Sequence, residues 1–474
     1  MDVTQHPSLS SIDHWSTHIL PRLNTEVLAG RGSLKRLIFE MNARLAQLPP
    51  AEDVSPLVAK QFVVHLGIWG SSIGRHYQDL LPGLRHDPSN GLRALKGPGG
   101  LSFRTFFDRL ADRTGTGHPG RDAYASLILW NVGGMRALWK GQVLADIPGV
   151  FNDGLIRTYT DDVGEQQILH LFKACETLEQ ASNNVLEPLW AQSGPLGRGE
   201  AEERLMIASH MLAGARRLVV DFPRGDDRGR LTPDQFVDVF RQFAIHWDPG
   251  DVPPSGPQDV EFLSRDLMNG MGSSAYHQHI RKIFPGLLLP ECIRLSDLME
   301  RPYSLPQTLL EAAGLSVDQL AVMTPRELGG AAQDHPALAA CYFYLRTSAR
   351  LSAAHLAMAK KFLFKVTRKR SELGLIDNAP VSNELGITGL AEMVMERLHD
   401  ARKRHPLQAF GRLHAAELSA LSRIPLNPDP DSSQTQDLLE GPVTGSGAAQ
   451  PRARSMCGTM AEGERVRVPL TGEQ

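Results

Sequence analysis

Cysteine is scarce. The 474 residues hold four, Cys175, Cys292, Cys341 and Cys457, far apart and never in a Cys-x-x-Cys pair. That excludes a disulfide-built scaffold or a zinc knuckle and suits a reducing compartment. Aromatic residues make up only 6%. No window approaches the ~18 consecutive apolar residues of a membrane-spanning helix. The N-terminus, Met1-Asp-Val-Thr-Gln-His6, lacks the basic stretch and apolar core of a secretory leader. A cytoplasmic location without membrane contact is therefore expected. Charge of one sign is lacking too. The 50 Lys and Arg face 53 Asp and Glu, a net charge of −3, which argues against a general electrostatic grip on nucleic acid or an anionic surface. Alternating Val, Ile and Thr between turns, the mark of strands, is also missing. So are the Walker loop, HExxH, GxSxG and a GxGxxG in a βαβ setting.

What the chain does have is helical patterning and enough apolar content, 42%, for a real core. Helical spacing runs from Ser33 to Leu48, from Ser55 to about Ile73, and through Phe103, Phe106, Phe107 and Leu110. Asp122 to Trp139 reads as a kinked helix or two pieces around Gly133-Gly134. Gly164–Leu189 and Gly199–Val220 read as long helices, and Thr232-Pro233 as a helix start. Further helices fall at about 317–323, 336–365 and 388–404, with a Pro/Gly-rich loop from Asp248 to Pro257. The expected fold class is all-α. Residues 1–30 form an irregular lead-in with one short helix, 31–160 a smaller N-terminal helical portion, and 161–426 a large helical domain. Residues 427–474, poor in groups that bury, are expected to be disordered.

The stretch with most chemical content is Cys341 to Phe362, free of Gly and Pro. Leu351, His355, Met358 and Phe362 follow at spacings of four, three and four, which sets an imidazole within an apolar stripe. Arg346 and Arg350 precede it; Lys360 and Lys361 follow. A neutral imidazole in an apolar wall with cations at its rim suits the axial ligand of a haem, whose propionates need cations. The plainer alternative is a core histidine bonded to a backbone carbonyl.

Three other stretches could contribute. Phe236, Phe240 and Phe243 make an aromatic stripe with Arg241 beside it; the ring could stack on a planar substrate and the guanidinium take a carboxylate. Gly270-Met-Gly-Ser273-Ser274-Ala offers small residues and free amides before a helix. His277 and His279 in that helix diverge too far to form a metal pair. Gly386-Ile-Thr388-Gly389 makes a hinged loop that could fold over a site and present a hydroxyl.

Taken in order, these segments resemble the haem-dependent tryptophan and indoleamine dioxygenase superfamily, closest to its monodechloroaminopyrrolnitrin synthase family. The likeness covers about residues 45–405. It includes Leu45-Ala-Gln-Leu-Pro-Pro50, Leu66-Gly-Ile-Trp-Gly-Ser-Ser-Ile-Gly-Arg-His76, Leu81-Pro-Gly-Leu84 and Leu129-Trp-Asn131, then the Arg241, His355 and Gly386 segments. The resemblance implies an all-α haem pocket in which His355 is the proximal ligand of a b-type haem iron. It implies that Phe236 and Arg241 are the distal aromatic and the substrate-carboxylate arginine, and that Ser273 and Ser274 lie in the distal loop. Gly386, Thr388 and Gly389 would form the mobile loop over the substrate, and Arg350 the propionate contact. Ser352 stands where the dioxygenase pattern has arginine. The implied activity is haem-dependent oxidation, by dioxygen or peroxide, of tryptophan or a related indole or aromatic amino acid in secondary metabolism. Self-association stays open. A non-catalytic haem-binding or sensing protein, and a helical scaffold without cofactor, are the alternatives.

Overall fold

The computed structural model describes residues 7–81, 83, 87–191, 199–223, 231–375, 381–386, 390–422 and 437–441. Proline and hydroxyl residues set the helix starts. Ser55 accepts a hydrogen bond from the Val58 amide (3.3 Å) ahead of Pro56, and opens helix α1, Pro56–Leu80. Thr232, Ser304, Ser316 and Thr324 each close a capping box with a Gln or Glu three residues on, satisfying amides that a helix start leaves bare.

Helix α1 is buried over most of its surface, which marks it as the centre of one core. Around it and its own Trp69 gather Trp15, Phe103, Phe107 and Trp247, with apolar residues from the first 170 positions and from 243–247. Its polar residues are satisfied inward. Ser71 Oγ donates to Asp122 (2.7 Å) and accepts from the Trp247 indole (3.1 Å). Asn24 donates to Ser72 (2.8 Å) and to the Tyr159 carbonyl (2.7 Å), while its own oxygen meets His76 (2.9 Å). The lead-in expected to be irregular is helical in its described part: Pro7–His14, a π turn at Trp15–Ile19, then Leu20–Leu28. Trp15 within it packs edge-on against Trp69 at 4.9 Å.

The second core is built from long helices: α2, Val163–Ala191; α3, Glu200–Asp221; α4, Val260–Met268; and α5, Pro336–Ala359. Helix α3 packs against both α2 and α5, through small and apolar residues such as Ala208, Met211, Leu212 and Ala215. A shorter helix, α6, Glu392–Arg402, lies against α5. The fold is thus largely helical.

It is not all-α. The expected helix over 122–139 stops at Trp130, where its last turn is a π turn, and Met135–Trp139 (β1) pairs antiparallel with Gln142–Ile147 (β2). Lys140 and Gly141 both take positive φ (49° and 82°). Such a two-residue turn matches the twist of a hairpin and folds β1 back on β2. Met-Arg-Ala-Leu-Trp is rich in helix formers, so its own propensity pointed the wrong way. A third strand, Leu439–Glu440 (β3), pairs with β1. Leu439 and Glu440, expected within a disordered tail, therefore belong to this sheet; apart from 437–441, residues 427–474 lie outside the described residues.

Close packing makes a testable contrast between two glycines. A Cβ at Gly70 would lie 2.4 Å from the buried Trp247 ring and 3.1 Å from Phe103, whereas one at Gly330, inside the helix Pro325–Asp334, meets nothing within 4 Å. Gly70→Ala should lower unfolding free energy in urea by about 1–3 kcal/mol. Gly330→Ala should raise it by roughly 0.5–1 kcal/mol.

Candidate functional site

Two adjoining cavities open along the second half of α5. The first has about 960 Å³ of free space counting its mouth, the second about 770 Å³. They share Phe172, Gly256, Pro257, His355, Met358, Leu390 and Met395 as lining residues. The stripe seen in the sequence faces them: Leu351 lines the first, Phe362 the second, and His355 and Met358 both. Past Ala359 the helix relaxes into a π turn, Lys360–Phe364. Such bulges recur at functional sites because they swing side chains out of helical register.

His355 is half-buried, its ring open to the cavities. It meets the edge of Phe262 at 5.9 Å and 77°. No described residue hydrogen-bonds to either ring nitrogen. Burial, with Arg402 and Arg265 nearby, pushes its pKa down to about 4, so the imidazole is neutral with a lone pair available. The plainer sequence alternative, a core histidine held by a carbonyl, is not the arrangement among the described residues.

Across the cavity stand residues that sequence reasoning passed over. Phe172 and Cys175 come from α2, and Gly256-Pro257 from a segment read only as loop. Phe236 and Arg241 both line the second cavity, but the expected single aromatic helix does not exist. The helix Pro233–Asp238 ends, and Phe240–Phe243 winds as a 3-10 turn. That turn carries Phe243 into the other core, stacked on Tyr159 at 4.4 Å and 5°. Arg241 is buried and donates through Nε to Asn383 Oδ1 (3.1 Å) and through Nη2 to the carbonyls of Ser382 (2.7 Å) and Leu385 (2.6 Å). Gly386, which follows, lines the second cavity. Thr388 and Gly389 lie outside the described residues. Ser273 and Ser274 are exposed; Ser273 caps the helix Ser274–Ile283, and neither lines a cavity. Arg350 is half-buried and absent from both cavity walls. Its place in the sequence, five before His355, sets it off the face that His355 occupies.

The far end of the first cavity is polar. Glu179, Asp259, Tyr276 and Arg402 line it. Arg402 donates from Nη2 to Asp266 (2.6 Å), which also accepts from Tyr276 (2.6 Å). Burial works against the Asp266 charge, yet Arg402 outweighs it and holds the pKa below the usual range. Glu179 accepts from Arg265. Burial drives Asp259 up to about 7, against the pull of the Phe262 amide that it caps. Among the described residues no three His, Cys, Asp or Glu side chains converge as a metal site.

Arg402 thus ties α6, whose Met395 and Leu398 also line the first cavity, to Asp266 of α4. Truncating one member of a buried pair strands the other. Arg402→Met should cost about 3–5 kcal/mol of stability in urea unfolding, and adding Asp266→Asn should recover part of it.

Compared with protein-family models and with curated proteins, the chain gives no match in either.

Proposed function

We propose that the protein is a haem-dependent oxidative enzyme acting on an indole or related aromatic compound, with dioxygen or peroxide as co-substrate. One observation carries the reading: a neutral imidazole without a hydrogen-bond partner among the described residues faces two confluent apolar cavities. A haem iron needs few protein ligands because the porphyrin supplies four, so the missing cluster of three ligands does not bear on it. The residues fit the group. His355 would be the axial ligand. Phe172, Pro257, Met358 and Leu390 would pack the porphyrin, and Arg402 is the one cation on the wall of the first cavity among the described residues.

Bound haem would supply the oxidising chemistry. The chain's own part is to exclude water and orient the ring. Phe236, Phe222 and Phe362 give the second cavity aromatic walls, with Phe236 edge-on to Phe362 at 5.9 Å. Indole rings suit such walls through offset and edge contacts.

Protein produced with added haem should show a Soret band near one haem per chain, and His355→Ala should lose most of it. A colourless wild type, or an unchanged variant spectrum, would overturn the reading. Screening tryptophan and substituted indoles against the reduced protein then separates an enzyme from a haem carrier.

A second expectation concerns acid. The imidazole stays neutral until pH nears 4, so the spectrum should hold constant from about pH 8 to 5. The same lowered pKa means the unfolded chain takes up a proton at His355 that the folded chain refuses. Its contribution to stability is therefore lost as pH falls from about 6.5 towards 4, which unfolding curves of wild type and His355→Ala would reveal as a difference in slope.

A further inference from the structure

We propose that Arg241 is the latch of the segment Val381–Gly386, and that the second cavity selects aromatic compounds without a carboxylate. This rests on the reading of the cavity as an aromatic substrate site. A guanidinium binds a carboxylate through one of two edges, Nε with Nη2 or Nη1 with Nη2. Both edges run through Nη2. Here Nη2 gives its two hydrogens to the carbonyls of Ser382 and Leu385, and Nε–H goes to Asn383 Oδ1. Neither edge is left open to a second two-bond partner.

The segment is held from other sides as well. The Gln242 side chain pairs with Val381 in both directions, accepting from its amide (2.8 Å) and donating to its carbonyl (3.1 Å). Thr367 donates to the Asn383 carbonyl (3.0 Å). The buried Asn383 side chain therefore sits between Arg241 and two further anchors, and the chain leads from it to Gly386 on the cavity wall. Releasing Arg241 to a ligand would strip the segment of its charged anchor. No second cation lines the second cavity among the described residues. A carboxylate entering it would lose its hydration without gaining a fork, whereas a neutral group of the same shape would not.

Calorimetric titration with indole-3-propionate and indole-3-propionamide tests this, since the two differ in charge and scarcely in shape. Both the haem-loaded protein and the protein as isolated should be measured. The amide should bind about tenfold tighter or more. Equal affinities, tighter binding of the acid, or no binding of either would overturn the inference. A protein that takes up no haem but keeps the preference would sink the cofactor reading and leave the latch standing. In Arg241→Lys, which keeps the charge but loses the forked geometry, hydrogen exchange of the Val381–Gly386 amides should quicken about tenfold. Unchanged exchange there, with the variant folded elsewhere, would also overturn it.

Discussion

A helix cannot be buried on every side and also line a cavity over the same turns. Helix α5 does both by dividing its length. From Leu338 to Leu345 every side chain is buried, Cys341 and Tyr344 fully so. From Ala353 onward none is buried until Phe362, and the face that would meet another helix meets open space. The packed half fixes the axis of the rod, so the open half holds His355 in place although nothing described hydrogen-bonds its ring. A helix clamped at one end can present a side chain that its immediate neighbours do not orient.

Beside the open half lies α6, a helix without a core of its own. None of its residues is fully buried. Its Met395 and Leu398 line the first cavity, its outer contacts are ionic, Lys360 and Arg368 with Glu392 and Lys360 with Glu396, and its inner one is the buried pair of Arg402 with Asp266. Exposed pairs contribute little each, so Arg402 is the anchor that counts.

How much of this could be read beforehand follows from range. Local signals were legible: the helix start at Thr232, the period of the His355 stripe, and the Asp248–Pro257 loop. The hairpin was missed because β1 is a strand by virtue of its partners, and its five residues alone favour helix. The site was half legible. His355, Phe236, Arg241 and Gly386 carry chemistry in their identities, and the fold brings all four to the second cavity. Phe172, Gly256 and Pro257 oppose His355 only through tertiary packing, and no local pattern distinguishes them from core and loop. Arg241 was legible as a charge beside an aromatic, yet its partners lie about 140 residues away, beyond any periodicity argument.

The carboxyls at the polar end of the first cavity call for restraint. Perturbed acids beside a cavity are ordinary candidates for proton transfer. Each of these, however, already has a structural occupation. Asp259 caps α4 by accepting from the Phe262 amide (2.9 Å). Glu179 faces Arg265, and Asp266 faces Arg402 and Tyr276. Their raised or lowered pKa values follow from burial and from these partners, with no further role required. A group that must shuttle protons has to reach the reacting atoms, and caps held by backbone amides are poorly placed to move. These carboxyls therefore serve as the scaffold that keeps α4 and α6 in position.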